Sequence, residues 1–421
     1  MTDQQWVWWQ QPNALERWLE DFLRDALRRR GDNPLASADG SSPSQLLDRY
    51  RDWGFSSLDM IKLASRFAAC LGIDRTGLSD LLLARRSAFG WCDVAHRSLQ
   101  IDDALIGFYS SGSTGNPALS RHPLARLQAE SDFFAQALPT ATRVVSTVPR
   151  HHIYGFIWGV LLPSSSGVPC ITLNPATTLP ASWAQQLHNN DLIVATPDIW
   201  QLLIDLDISL PKRFVAISST APLNPRVAHQ IRTRYPDAIL VEVYGSTETA
   251  GLGWRAGPET GYQLLPWWEL DLKSEPARVS SERFRESHQL SDRITRQNDG
   301  CFLVSGRTDD VVQIAGHNIN LRTLAARLAE HPDIKDAKAR YQFNEGHHQL
   351  HYFLALHERP TDERLWCDNF ARWLTRQLGD VPPPASVVLA HEIPQSTLGK
   401  ALSWNAQDFP VITGICRGGF K

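Results

Sequence analysis

The chain has 421 residues, more than one ordinary small domain holds, and suits a large domain joined to a smaller one. A composition of 43% hydrophobic and 21% charged residues, with no low-complexity tract, excludes disorder as the main state. Lys and Arg number 42 against 45 for Asp and Glu; the net charge of −3 supplies no general field for polyanions, so nucleic acid is not an expected partner.

Residues 1–12 are polar and Trp-rich rather than basic and then apolar, and the longest apolar stretch, 155–163, is too short for a bilayer. No export and no membrane span are expected, and the scattered cysteines make a reducing cytoplasm the expected location. The six cysteines are scattered without a CxxC pair, which argues against a zinc site and a disulfide framework. Apolar residues at helical spacing over 15–27 predict an amphipathic helix that a turn at 31–34 ends. A second helical run covers 57–71, so the first hundred residues are expected to be mainly helical.

From residue 143 the texture changes to short β-branched runs ending in turns, over 143–149, 191–197, 213–220 and 238–245, with helical segments between them. This alternation predicts an α/β fold with buried strands. Past Gly306 a smaller unit is expected, with a helix at 321–330, a strand at 352–356, a helix at 362–378 and a strand at 386–389.

Four stretches carry the chemistry. Tyr109-Ser110-Ser111-Gly112-Ser113-Thr114-Gly115-Asn116-Pro117 packs glycines and hydroxyls into one loop, which suits wrapping around phosphate oxygens and equally suits a surface linker; no GK[ST] closes it, so it is not a Walker loop. Val243-Tyr244-Gly245-Ser246-Thr247-Glu248 follows an apolar run, where α/β folds build their sites. Glu248 is a hard oxygen ligand suited to magnesium, although the same letters describe a helix N-terminus capped by Ser246 or Thr247. Gly306-Arg307-Thr308-Asp309-Asp310 leads into an apolar run and a turn at Gly316, and standing alone reads as a hairpin. Leu398-Gly399-Lys400 presents a lysine on a turn.

Taken in this order, the four stretches resemble the adenylate-forming superfamily of acyl-CoA synthetases, nonribosomal adenylation domains and luciferases, over about residues 105–403. The resemblance implies an α/β fold with a large N-terminal adenylate-forming domain, 1–306, whose mainly helical 1–104 is a shortened front end. A small mobile C-terminal α+β domain, 307–421, would carry the catalytic lysine. It further implies that Ser111, Gly112, Ser113, Thr114 and Gly115 bind the phosphates of ATP, that Ser219, Thr220 and Ala221 with Tyr244 enclose adenine, and that Asp292 and Arg307 hold the ribose. Lys400, Glu248 and Thr247 are the implied catalytic residues, Glu248 the magnesium ligand and Asp309 the hinge. His152, Tyr154, Phe156, Gly245, Ser246 and Gly253 are the implied acyl pocket.

Three positions depart from the superfamily pattern: Ala118 replaces the lysine after the loop's proline, and Asn318 and Ser403 replace arginines. Within the superfamily the segments HHIYGF, STAPL, YGSTETAGLGWR and GRTDD are most similar to compact ligases of aryl polyene and xanthomonadin-type pigment clusters. This implies adenylation of a hydroxybenzoate-like aryl acid and transfer to an acyl carrier protein. A CoA synthetase and a nucleotide-binding protein without turnover are the alternatives. Gly54-Phe55-Ser56-Ser57-Leu58 is similar to a phosphopantetheine attachment site, but an N-cap explains the same residues and is preferred.

Overall fold

In a computed structural model of the chain, the residues described are 7–29, 47, 50, 54–110, 118–138, 140–173, 178, 180–257, 260–307, 311–314, 317–344, 347–358, 360–379 and 381–390. The described residues up to Ser305 belong to one compact unit, and those from Gly306 onward to a second.

Strand burial in the first unit follows from the β-branched runs. β1 (Leu105–Tyr109) and β2 (Leu119–Pro123) form an antiparallel pair. β3 (Arg143–Ser146), β4 (Cys170–Thr172), β5 (Asp191–Ala195), β6 (Phe214–Ser218), β7 (Ile239–Ser246), β8 (Ala250–Arg255) and β9 (Gln263–Leu264) make a seven-stranded sheet ordered β4-β3-β5-β6-β7-β8-β9. Pairing is parallel from β4 to β7, then antiparallel to β8 and β9.

Successive side chains leave a strand on opposite faces, so one run feeds two cores. Val144, Leu192, Val194, Val215, Ile217 and Val241 enter the core shared with the N-terminal helices. Val145, Ile193, Ala195, Phe214, Ala216 and Leu240 enter the other, beneath the helices Pro197–Asp205 and Pro225–Arg234. Every residue of β5 and β6 is buried, as strands covered on both faces must be.

In front of the sheet lie the helices Ala14–Arg29, Ser57–Cys70 and Ala88–Ile101. The first buries Trp18, Phe22, Leu23 and Leu27 on one face. Ser56 caps the second in a reciprocal capping box with Asp59, which accounts for the GFSSL letters without a modification site. Among the described residues no helix is long and apolar enough to cross a membrane.

The described part of the second unit is α+β. A hairpin, Val311–Ile314 with His317–Asn320, runs into the helix Leu321–Leu328, which Asn320 caps. The strands Ile334–Asn344, His347–Leu356 and Ser386–Ala390 form a three-stranded sheet, antiparallel and then parallel, and the helix Glu363–Gln377 contributes Trp366, Phe370 and Leu374 to its core.

The runs over 143–149, 191–197 and 213–220 form strands that end at Ser146, Ala195 and Ser218, with the expected turns after them, proline-containing after the first two and passing through Thr220 at φ 82° after the third. One expectation, on the cysteines, needs correction, and one sheet was not expected. Polar strands over Glu269–Asp271, Arg278–Ser281 and Glu286–Gln289 form a small sheet that hydrophobic periodicity does not announce. Cys367 is disulfide-bonded, whereas Cys70, Cys92, Cys170 and Cys301 are free; linear spacing does not reveal which cysteines a fold brings together.

Candidate active site

The carboxyl ends of β5, β6 and β7 come together through side chains that bond the exits of neighbouring strands. Tyr154 donates its hydroxyl toward Ala195 O at 3.1 Å and Ile217 O at 3.2 Å, at the ends of β5 and β6. Ser219, just past β6, donates to Val243 O of β7 at 2.7 Å. Tyr244 in turn donates to Asp292 Oδ2 at 2.6 Å, across 48 residues of sequence. Ser219, Tyr244 and Asp292, three of the candidates named from the sequence, are thereby linked at the carboxyl ends of β6 and β7.

Thr220 holds that turn in the left-handed region, where a β-branched residue is strained by about 1–3 kcal/mol. We expect Thr220→Gly to raise the melting temperature while weakening nucleotide affinity through a less ordered turn. Thermal unfolding with and without AMP checks this; an unchanged AMP-induced shift would separate the strain from the ligand.

Residues 246–249 form the tip of a β7–β8 hairpin, not the helix start that the letters also allowed. Ser246 N donates to Thr249 Oγ1 at 3.1 Å, and Glu248 N to Ser246 Oγ at 3.2 Å, which closes a side-chain turn. Ser246 and Glu248 are exposed and Thr247 is half-buried at the mouth of the parallel strands. A single exposed carboxylate beside a hydroxyl suits magnesium, which keeps most of its shell as water and phosphate oxygens.

The structure places the remaining candidates as follows. The phosphate loop Ser111, Gly112, Ser113, Thr114 and Gly115 lies outside the described residues, but its flanks are joined: Ser110 N donates to Ala118 O at 2.8 Å, and Ala118 N to Ser110 Oγ at 3.1 Å. The Arg307 side chain, Asp309 and Lys400 also lie outside the described residues. His152 is half-buried at the N-cap of a short helix, Ile153–Phe156. Phe156 is wholly buried, edge-on to Trp8 at 5.0 Å and beside Phe108 at 5.5 Å. Gly253, opposite Tyr244 in the ladder, is buried where an added Cβ would come within 2.7 Å of Phe302.

Sequence reasoning missed a buried polar group behind the hairpin tip. His122 lies in β2, and Arg126 and Glu130 follow it at four-residue spacing on the helix Leu124–Ala137, a pattern that in the sequence alone looks like a solvated helix face. His122 Nε2 lies 2.8 Å from Thr247 O, Arg126 Nη1 donates to Thr249 O at 2.5 Å, and Gly251 N donates to Glu130 Oε2 at 3.0 Å. Arg126 is paired with Glu286 at 3.1 Å.

Burial, reinforced by Arg126, pushes the His122 imidazole down to about 3, and burial pushes the Glu130 carboxyl up to about 7 against the pull of Gly251 N–H and Arg126. The signs oppose. A histidine depressed on folding loses stability as pH falls below its unfolded value near 6.5, whereas a carboxyl raised on folding loses stability as pH climbs from its unfolded value of 4.5 toward 7. The two slopes offset each other between about 4.5 and 6.5. In Glu130→Gln only the histidine slope remains, so stability should rise with pH across that window; urea denaturation at several pH values reads it, and an identical profile for both proteins would refute the assignment.

Residues 57–270 match the family described as AMP-binding enzyme. The chain is 31% identical over 376 residues to a 4-coumarate-CoA ligase of Cereibacter sphaeroides, covering 88% of each. It belongs to the AMP-binding enzyme family. The chain is also 30% identical over 344 residues to a 4-coumarate-CoA ligase of Halorhodospira halophila, covering 82% of this chain and 86% of that one. Its fold matches the amide bond synthetase McbA of Marinactinospora thermotolerans with a TM-score of 0.58 over 92% of both chains, at 15% identity. The α/β adenylate-forming fold expected from the sequence is thus borne out, and the protein is an AMP-forming acid-thiol ligase.

Proposed function

We propose that this AMP-binding enzyme adenylates an aryl carboxylic acid of the hydroxybenzoate or hydroxycinnamate kind and passes the acyl group to the phosphopantetheine thiol of coenzyme A. The observation that carries this reading is the shared length and identity with proteins named 4-coumarate-CoA ligase. Ser219, Thr220 and Ala221 offer backbone groups to adenine beside the Tyr244 ring, and Asp292 accepts from the ribose hydroxyls together with Arg307 as donor. Ser111, Gly112, Ser113, Thr114 and Gly115 wrap the outer phosphates, Thr247 adds a hydroxyl, and Glu248 would hold magnesium. When bound, that ion offsets phosphate charge.

The acid lies against His152, Gly245 and Ser246, with Tyr154, Phe156 and Gly253 forming the wall behind them. Its carboxylate oxygen attacks the α-phosphorus, the bond to the bridging oxygen breaks, and pyrophosphate leaves while Lys400 neutralises the charge that accumulates. The thiol then attacks the acyl carbon and AMP departs. Rotation of the second unit about Asp309 separates the two steps.

A carrier protein as thiol donor is the second reading. Arg322, Arg372 and Arg376 are exposed on the two helices of the second unit, where an acidic partner would meet them; Arg417 and Lys421 lie outside the described residues. The deciding experiment is ATP–pyrophosphate exchange over benzoates, cinnamates, fatty acids and amino acids, followed by transfer to coenzyme A or a holo carrier protein at equal concentration. Exchange with aryl acids and faster transfer to coenzyme A are expected. Preference for a carrier protein, weakened by salt, would install the second reading; nucleotide binding without exchange for any acid would leave a protein that does not turn over.

A further inference from the structure

Three buried polar side chains are gathered on one short turn, and none of them is assigned a ligand above. His122, Arg126 and Glu130 are each 1% exposed or less, where an apolar trio of the same volume would ordinarily serve stability as well or better. Their polar atoms are spent on alternate residues of the hairpin tip: the carbonyls of Thr247 and Thr249 and the amide of Gly251. Trp268 completes the grip by donating Nε1–H to Gly251 O at 2.9 Å, and its ring also lies 5.5 Å from the Arg126 guanidinium. Glu248, between the first two gripped carbonyls, is left pointing to solvent.

The hydrogen-bond pattern fixes the histidine's state. Arg126 Nη2 can only donate, so His122 Nδ1 accepts from it and the ring proton sits on Nε2, donated to Thr247 O. The imidazole therefore acts as a neutral relay between a buried guanidinium and the loop. Ladder pairing of Ser246 with Ala250 and the Ser246–Thr249 hydrogen bonds also close the hairpin, so the trio's bonds come in addition to the turn's own.

We propose that His122, Arg126 and Glu130 are positioning residues that fix the 246–251 turn in the geometry at which Thr247 and Glu248 meet the nucleotide's phosphates. The inference deepens the adenylation reading and rests on it for its effect on rate. It predicts a split between half-reactions, because acyl transfer from a finished adenylate no longer needs the outer phosphates.

His122→Leu fills the volume but leaves the Thr247 carbonyl and the Arg126 N–H unpaired. In this variant, amide hydrogen exchange within 246–251 should speed up about tenfold or more, and kcat for acid-dependent ATP–pyrophosphate exchange should fall about 10²-fold, the scale for misplacing a reacting group by an ångström. KM for the acid and thiol transfer from supplied acyl-adenylate should stay within about threefold, since neither is governed by the phosphate contacts. His122→Gln, which can both donate to Thr247 O and accept from Arg126, should recover most of the rate. Should His122→Leu not fold, Trp268→Phe removes only the bond to Gly251 O and is read in the same two ways. Unchanged exchange in the loop, a parallel fall of both half-reactions, or no recovery by glutamine would overturn the proposal. If the unsubstituted enzyme shows no ATP–pyrophosphate exchange with any acid, the adenylation reading fails, while loop protection in the variants still decides whether the trio holds the turn.

Discussion

Lys400→Ala should lower carboxylate-dependent ATP–pyrophosphate exchange by about 10²–10³-fold, the loss typical when one preorganised charge-stabilising donor is removed. The charge at issue is local: a carboxylate and an α-phosphate must approach each other, and Glu248 and Asp292 are themselves anions, so among the residues named Lys400 alone brings a positive charge of its own to the reacting groups, Glu248 acting only through the magnesium it would hold. Under the proposed function Ala118 heightens the demand, since it stands where the superfamily resemblance implies a lysine for the outer phosphates. Transfer from a supplied acyl-adenylate to the thiol should remain within about threefold of the unsubstituted enzyme, because the proposed rotation about Asp309 takes Lys400 away from the reacting groups before that step. Stopped-flow measurement of the two half-reactions separates the outcomes. Equal losses would place Lys400 in the fold rather than in the adenylation step.

How much could be read from the letters differs between fold and site. The parallel strands were legible because a strand covered on both faces needs an unbroken apolar run, as in Asp191–Ala195 and Phe214–Ser218, and few other structures do. The strands between Glu269 and Gln289 were not, since their residues alternate into solvent and look like loop. Tyr244 and Asp292 were found only through resemblance to a family; nothing in their own neighbourhoods announces a hydrogen bond across 48 residues. The 246–248 segment was ambiguous for a physical reason: hydroxyls followed by an acid serve a helix N-terminus and a side-chain-closed hairpin equally well, and only the returning strand Ala250–Arg255 decides between them. The buried trio was missed because polar residues at four-residue spacing ordinarily mark a solvated helix face, and burial by a distant hairpin cannot be inferred from the helix alone.

Gly245→Ala should be the most damaging single methyl in the site. The ladder between β7 and β8 slips between Tyr244 and Gly245, and the slip brings Gly245 so close to the returning strand that an added Cβ would sit 1.9 Å from Ala250 O and 2.8 Å from its carbonyl carbon. A side chain could rotate away from such a clash, but backbone must move. Ala250 already occupies the left-handed region at φ 54°, and its neighbours are held from behind, Thr249 O by Arg126 and Gly251 by Glu130 and Trp268. The strand therefore cannot retreat without breaking bonds to buried charged groups, whose loss is costlier than that of exposed ones. We expect a stability loss of about 3 kcal/mol, the upper range for overpacking a filled site. Exchange activity should fall about 10²-fold or more as Thr247 and Glu248 are displaced with the turn. Differential scanning calorimetry and ATP–pyrophosphate exchange on the same preparation test both, and a variant that keeps its melting temperature and its rate would show that the hairpin can widen freely, leaving the hold from behind without consequence.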